Sequence, residues 1–334
     1  MQFRKRRHII FAIIIGGIIF SIFTFEIGWG KFIQLLYQSE KRFLLLAVGF
    51  NFLNVLAFTL SWKVIVFEKI NLRRLMRLYL VGVFVNYITP SMGTAGEPVK
   101  AYLLSRDTKS EYAKAFATVM TQRLLNMLPF TIVTILGIGT LIAFRHSAGW
   151  EFWVLGISFS ITIAMFLFLI YLYTRKERLK TIARVFLKLF FPLIRRYQRG
   201  GVDYEKYLHK IDHSVDSFHS GLKEISNHKI RLASSIFFSF LGWFFDVLLA
   251  YTIFLALNYN IDIGILIVAY SVAMVAGMLP LFLPGGLGTV DATMALLYVA
   301  AGVPVEIALL STVLYRLIQY WLTTIIGATC TIGI

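Results

Sequence analysis

The chain has 334 residues, 58% hydrophobic and only 15% charged, whereas a soluble domain carries about a quarter charged residues. Its apolar runs are continuous rather than alternating, which excludes a membrane β-barrel, and the lone Cys330 excludes an intrachain disulfide or a cysteine-based metal site. The net charge of +16 reads as positive-inside bias rather than nucleic-acid binding, because the basic residues crowd into short segments beside the apolar runs.

What remains is an all-α polytopic membrane protein, a single membrane domain over 1–334. Clear spans are predicted at 9–25, 43–62, 115–144, 153–173, 232–257 and 305–328. Arg4-Lys5-Arg6-Arg7-His8 precedes the first run, and no small-residue cleavage site follows it. We therefore expect a retained first helix with a cytoplasmic N-terminus.

After the second span, Lys63, Lys69, Arg73, Arg74 and Arg77 mark a cytoplasmic loop over 63–77. The later segment 174–231 carries fourteen Lys/Arg against six acids and is expected on the same side. Both assignments hold only if 78–110 enters and leaves from one face. That stretch contains ITPSMGTAGEP, with Pro90, Gly93, Gly96 and Glu97 at membrane depth, so a re-entrant broken-helix hairpin is predicted.

Within 174–231, apolar residues over 178–197 recur every three or four positions with Arg184, Lys188 and Arg195 between them. This pattern suits a helix on an anionic membrane surface. A heptad-like stripe over 204–225 predicts a second helix packing on the membrane domain. His209 and His213 share i, i+4 spacing, but no HExxH motif or cysteine supports them and no metal is expected.

The run 263–301 is broken by Pro280, Pro284, Gly285, Gly286 and Gly288, which predicts a second hairpin, entering from the outside, and a cytoplasmic C-terminus. The two interruptions match each other. Pro90…Gly93-Thr94-Ala95-Gly96-Glu97 faces Pro284…Gly288-Thr289-Val290-Asp291, and TVMTQRLLN (118–126) faces TVLYRLIQ (312–319). Glu97 precedes Arg123 by 26 residues and Asp291 precedes Arg316 by 25. The order span, span, hairpin, span thus occurs twice, over 1–145 and 153–334, with the second copy starting on the opposite side. That arrangement is an inverted repeat, a transporter signature.

Charges inside apolar runs each cost about 2.5–3.5 kcal/mol on insertion scales and need a partner or a watery cavity. Glu97, Lys100, Arg123, Asp246, Asp291 and Arg316 are the charges of interest, joined by the polar Asn126 and Gln319. A half-helix starting near Pro98 would expose unpaired N–H groups and a partial positive charge, with Glu97 at its cap. Asp291 holds the matching place before a helix over 292–301. Both acids read either as helix caps neutralised by Arg123 and Arg316, or as partners that yield those arginines to a lipid phosphate. The glycines either permit tight turns and close helix approach or bare backbone groups to a ligand. PGGLG lacks the Gly-Lys-Ser/Thr ending of a Walker loop. Asp246, in LGWFFDVLLAY, has no partner nearby in sequence, and reads as a buried hydrogen-bonding group or a proton-coupling carboxylate.

TPSMGTAGEPVKAYLL (89–104), TQRLLN (121–126), LPGGLGTVDATMALL (283–297) and LYRLIQYW (314–321) resemble the lysylphosphatidylglycerol synthase transmembrane family of flippase-like proteins. The resemblance implies an inner-membrane protein moving a lipid or isoprenoid-linked lipid between leaflets. It assigns Glu97, Lys100 and Arg123 to the first family motif, and Gly285, Gly286, Gly288 and Arg316 to the second, where Asp291 replaces a common Glu. Some members carry a soluble aminoacyltransferase domain; the chain stops at Ile334, so synthase activity is not expected. The implied protein is a cell-membrane lipid translocase without catalytic residues or cofactor. Its expected partners are anionic membrane lipids, with a second copy of itself as a further option. The competing functions are a lipid-modifying or glycosyl-transferring membrane enzyme and a membrane scaffold.

Overall fold

The computed structural model describes residues 29–91, 93–144, 174–197, 203–277 and 283–334, with isolated positions between 156 and 171. The spans expected at 9–25 and over most of 153–173, and Pro280 of the second hairpin, lie outside the described residues. Among the described residues the protein is helical without strands: α1 (Trp29–Gln38), α2 (Lys41–Ile65), α3 (Leu72–Ile88), α4 (Gly96–Thr108), α5 (Tyr112–Phe144), α6 (Lys176–Tyr197), α7 (Tyr204–Asn227), α8 (Lys229–Ala256), α9 (Ile263–Gly277) and α10 (Thr289–Ala300). A continuous rod, α11 (Val305–Cys330), follows, π-helical over Leu317–Leu322. Three of these helices, α2, α8 and α11, are long and apolar enough to cross a membrane.

The central seam is α2 against α8. Ala47, Asn51, Asn54, Ser61 and Ile65 are buried on α2, and Ser235, Ser239, Gly242, Asp246, Leu249, Ile253 and Ala256 on α8. The α8 set recurs at three- and four-residue intervals and the α2 set at three, four and seven, each one face of a helix. Small and hydroxyl-bearing side chains there let the backbones approach and supply interhelical hydrogen bonds. Asn54 Nδ2 donates to the Gly242 carbonyl at 2.9 Å, and the Ser61 hydroxyl meets those of Ser235 at 3.0 Å and Ser239 at 2.8 Å.

Two apolar cores lie along this seam. One gathers Trp62, Ile65, Leu75, Leu78, Leu104 and Val119; the other gathers Leu249, Phe254, Leu266, Tyr270, Tyr298 and Leu310. Each contains a helix pair with a glycine-bearing break. In the first, α3 and α4 press together because Gly82 and Gly96 carry no side chain: a Cβ on Gly96 would lie 1.9 Å from the Gly82 carbonyl oxygen. In the second, Gly277 at the end of α9 faces Gly286, where a Cβ would lie 3.0 Å from the Gly277 Cα.

The first pair starts earlier than the expected 78–110. Arg73, Arg74 and Arg77 belong to α3, which begins at Leu72 with Asn71 accepting from the Arg73 amide. Arg74 is drawn in by an ion pair with Asp107, while Leu75 and Leu78 are fully buried. In the second pair, α10 begins at Thr289 rather than 292. Asp291 therefore lies in the first helical turn, not before it.

The amphipathic segments form α6 and α7. These pack together, and α7 also packs on α5 with Val215, Leu222 and Ile225 buried. Arg184 pairs with Asp212 at 2.6 Å, and Lys176 and Lys180 converge on Asp216 at 2.7 and 2.8 Å. Val185 and Leu189 on the outer face of α6 are 60% and 67% exposed, an apolar surface of the kind an interfacial helix presents to lipid.

Candidate functional site

The break between α3 and α4 turns at Gly93, whose φ of 67° suits a residue without Cβ. Its carbonyl accepts from Arg123 Nη1 of α5 at 2.9 Å, and the same nitrogen donates to Glu97 Oε1 of α4 at 3.1 Å. The second break turns at Gly285, with φ 54°. Its carbonyl accepts from Arg316 Nη2 of α11 at 3.1 Å, while Arg316 Nε donates to Asp291 Oδ1 of α10 at 3.0 Å. Each half thus builds the same unit, an arginine joining a carboxylate to the carbonyl of a left-handed glycine. All four charged side chains come together in the pairs their spacing suggested.

The units differ in surroundings. Glu97 holds a second cation, Lys100 Nζ, at 2.6 Å, whereas Met294 occupies the matching place after Asp291. Lys100 is almost fully buried, its ammonium 5.3 Å from the Tyr79 ring centre and 5.8 Å from that of Trp62. Such aromatic faces stabilise a desolvated cation. Gly82 makes room for its stem, since a Cβ there would lie 2.3 Å from the Lys100 Cγ. The Arg123 side chain is 26% exposed and that of Arg316 only 6%.

The α4 terminus does not bare its amides as expected. Gly96 N donates to Asn86 Oδ1 at 2.6 Å, Ala95 N to Ser91 Oγ at 3.1 Å and Glu97 N to the Thr94 carbonyl at 3.1 Å, and Pro98 has no N–H. Nor does Glu97 cap its helix: the carboxylate faces Asn86 Nδ2 at 3.3 Å, Lys100 and Arg123. Asp291 is a partial cap, Oδ2 accepting from Gly288 N at 2.8 Å.

A cavity of about 280 Å³ lies between the units. It is lined by Glu97, Lys100, Arg123, Arg316, Asn126 and Gln319, with Gly93, Gly285 and Gly286 among the backbone positions. Three cations against the two carboxylates Glu97 and Asp291 leave one positive charge around it. Asn126 accepts from the Ser239 hydroxyl through Oδ1 and from Trp243 Nε1 through its carbonyl, the latter at 3.0 Å. Gln319 Nε2 donates to Tyr87 Oη at 2.7 Å. Pro90 stands in the first break and Pro284 opens the 3-10 turn of the second. Gly288, with φ 86°, precedes α10.

Asp246 stands apart from the rest of the predicted set. It does not line the cavity; it is buried and accepts from Tyr270 Oη at 2.5 Å and Tyr315 Oη at 3.3 Å. Reading the sequence missed Asn86, Tyr87 and Tyr320. Asn86 ties the two arms of the first break together. Tyr87 stacks on Tyr320 at 4.7 Å, and Tyr320 lies under the Arg316 guanidinium at 4.6 Å, linking the first helix pair to the second unit. Asn86 carries the signal used for the charges, a polar residue in an apolar helix; the tyrosines carry none.

Comparison with known proteins places the chain in a family. A UPF0104 membrane protein of Methanothermobacter thermautotrophicus is 29% identical over 318 residues, covering 94% of this chain and 92% of the relative. A UPF0104 membrane protein of Pyrococcus horikoshii is 28% identical over 324 residues, 94% of each chain. One of Methanocaldococcus jannaschii is 29% identical over 336 residues, 98% of this chain and 95% of the relative. The family profile described as Lysylphosphatidylglycerol synthase TM region matches residues 9–327, so the chain belongs to that family of membrane proteins.

Proposed function

We propose that this protein is a lipid translocase of the cell membrane, moving an anionic phospholipid or isoprenoid-linked lipid between leaflets without chemical conversion of it. The observation that carries the reading is the pair of arginine–carboxylate–glycyl units facing one cavity with one surplus positive charge. A phosphodiester brings one negative charge and accepts the charge-assisted hydrogen bonds that guanidinium groups give. It would take Arg123 or Arg316 from a carboxylate and a carbonyl and return it on leaving. The arginines do this work rather than the α4 amides, which are occupied.

In this reading the two helix pairs are re-entrant and related as an inverted repeat of 1–145 and 153–334, so that the cavity opens to alternate sides. The N-terminus and the 174–231 insertion are cytoplasmic, in keeping with the basic residues they carry, and the C-terminus shares their side by the order of spans and hairpins. The test is a leaflet-resolved assay in proteoliposomes with a fluorescent phosphatidylglycerol and a polyprenyl-phosphate probe. Arg123→Gln and Arg316→Gln are expected to lower movement of at least one probe by about tenfold or more, a loss of about 1.4 kcal/mol. If both variants move every probe as the parent protein does, the arginines have no such role.

A further inference from the structure

The polar cavity has a neighbour. A larger apolar groove of about 620 Å³ runs between α5 and α7 beneath α6, and Glu97 and Arg123 line both spaces. Its walls include Phe116 and Met120 of α5, Val215 and Phe218 of α7 and Leu179 of α6. The volume falls within the roughly 300–1,000 Å³ of small-molecule sites. Lys180 and Asp216, each next in sequence to a wall residue, pair at 2.8 Å and fasten α6 to α7 beside the groove.

Resting on the translocase reading, the geometry points to a second subsite: the groove holds one hydrocarbon chain of the same phosphate-bearing lipid whose headgroup occupies the polar cavity. The shared Glu97–Arg123 pair marks the junction between the charged and apolar parts of the ligand. The two shared lining residues select this occupant. An amphiphile carrying both a phosphate and a hydrocarbon chain fits a cation-lined cavity that shares Glu97 and Arg123 with an apolar groove. A chain seated there packs against the apolar walls, while Arg123 takes the charge. The chain is acyl or isoprenoid, chemically alike to these walls, and the test separates the two.

The full chain, in phosphatidylcholine liposomes, is photolabelled with three probes: phosphatidylglycerol with a diazirine on one acyl chain, a diazirine-bearing polyprenyl phosphate, and a long-chain diazirine alcohol lacking phosphate. At least one phosphate probe is expected to label Phe116, Met120 and Phe218, and which one does identifies the chain. Met120→Trp fills the groove, and Ser214→Trp, at an exposed rim position, does so without touching the core. Each should cut that labelling about tenfold while leaving label at the outward-facing Leu45 and Phe52 unchanged. Arg123→Gln should lower groove labelling by the phosphate probe but not by the alcohol. Groove label no stronger than at Leu45 and Phe52, and insensitive to either tryptophan, means bulk lipid only and overturns the subsite. Equal response of alcohol and phosphate probes to Arg123→Gln overturns the joint site. Transport measured on the same variants separates the two proposals: unimpaired transport with the groove filled overturns the subsite alone, and specific labelling in a parent protein that moves no lipid overturns translocation alone.

Discussion

Arg123 serves Glu97 and the Gly93 carbonyl from a single nitrogen, Nη1, at 3.1 and 2.9 Å. Arg316 divides the equivalent work between two, Nε to Asp291 and Nη2 to Gly285. Each guanidinium so uses two of its five N–H donors, but the Arg123 side chain is 26% exposed and that of Arg316 only 6%. Of the two, Arg123 is the more accessible to a second partner, and Arg316 is the more tightly enclosed by its own.

Substituting each arginine should separate these roles. Arg316→Gln leaves Asp291 buried without its cation, a change that costs about 3–5 kcal/mol for buried pairs. Arg123→Gln should cost less than half as much, because Lys100 still neutralises Glu97, yet it should impair lipid movement at least as severely. Thermal unfolding in detergent beside the liposome assay measures both; equal destabilisation would contradict the division.

Lys100 depends on Glu97 for burial. Glu97→Gln strands an ammonium that is 5% exposed, whereas Glu97→Gln/Lys100→Met removes both charges and keeps the volume. The double variant should be more stable than the single one by about 2 kcal/mol or more, since apolar replacement of a buried pair is often neutral. Additive losses would mean that the lysine reaches water when its partner goes.

The left-handed glycines give a sharper contrast. Gly285→Ala meets both a φ of 54° and the Tyr320 ring, 2.3 Å from the new Cβ, whereas Gly49 in α2 has nothing within 4 Å. Gly285→Ala should lower stability by about 2 kcal/mol from strain and overpacking together. Gly49→Ala should raise it by up to about 1 kcal/mol through helix propensity. Unfolding midpoints in the same detergent decide it.

The parts legible in the sequence were those a membrane makes expensive. A charge in an apolar run has few partners, so Glu97 with Arg123 and Asp291 with Arg316 could be paired from spacing and the matched breaks. Asn86 obeyed the same rule and was overlooked beside the charges. Tyr87 and Tyr320 could not be found this way: they lie 233 residues apart, and an aromatic residue in an apolar helix reads as packing until tertiary contacts set its neighbours. Arg73, Arg74 and Arg77 read as loop charges in sequence and hide the start of α3, because the partner of Arg74 lies on α4. The sequence of a break does not reveal that Asn86 and Ser91 accept from the amides at the start of α4.

The α6–α7 insertion is held by charge and should respond to acid and salt. Hydrogen bonds from Lys176 and Lys180 hold the Asp216 carboxyl down at about 2, and Arg184 lowers that of Asp212. A carboxyl lowered in the folded state stabilises it fully above its unfolded value of about 3.9, and that contribution disappears as pH falls through the folded value. Desolvation lowers the His219 pKa, so its opposition to protonation begins as pH drops below about 6.5. Distances between spin labels on α6 and α7 should lengthen stepwise with acidification, first below about pH 6.5 and then between about 4 and 2. These pairs are solvent-exposed, so about 1 M salt should loosen them at neutral pH. An insertion unmoved by both treatments would be held by its apolar contacts alone.

Asp246 is the buried acid without a cation among the described residues; two tyrosine hydroxyls hold it. If those hydroxyls are what permit its burial, their removal should matter only while the carboxyl is present. Tyr270→Phe should destabilise the protein by about 1–3 kcal/mol, the cost of leaving a buried polar group without its donor. The same change in an Asp246→Leu background should cost under about 1 kcal/mol, because no acceptor is then left unmet. Tyr315→Phe, removing the longer bond at 3.3 Å, should show the same coupling at smaller amplitude. A Tyr270→Phe penalty that persists without Asp246 would place the hydroxyl's contribution in its interaction with Tyr315 rather than in the carboxylate it faces.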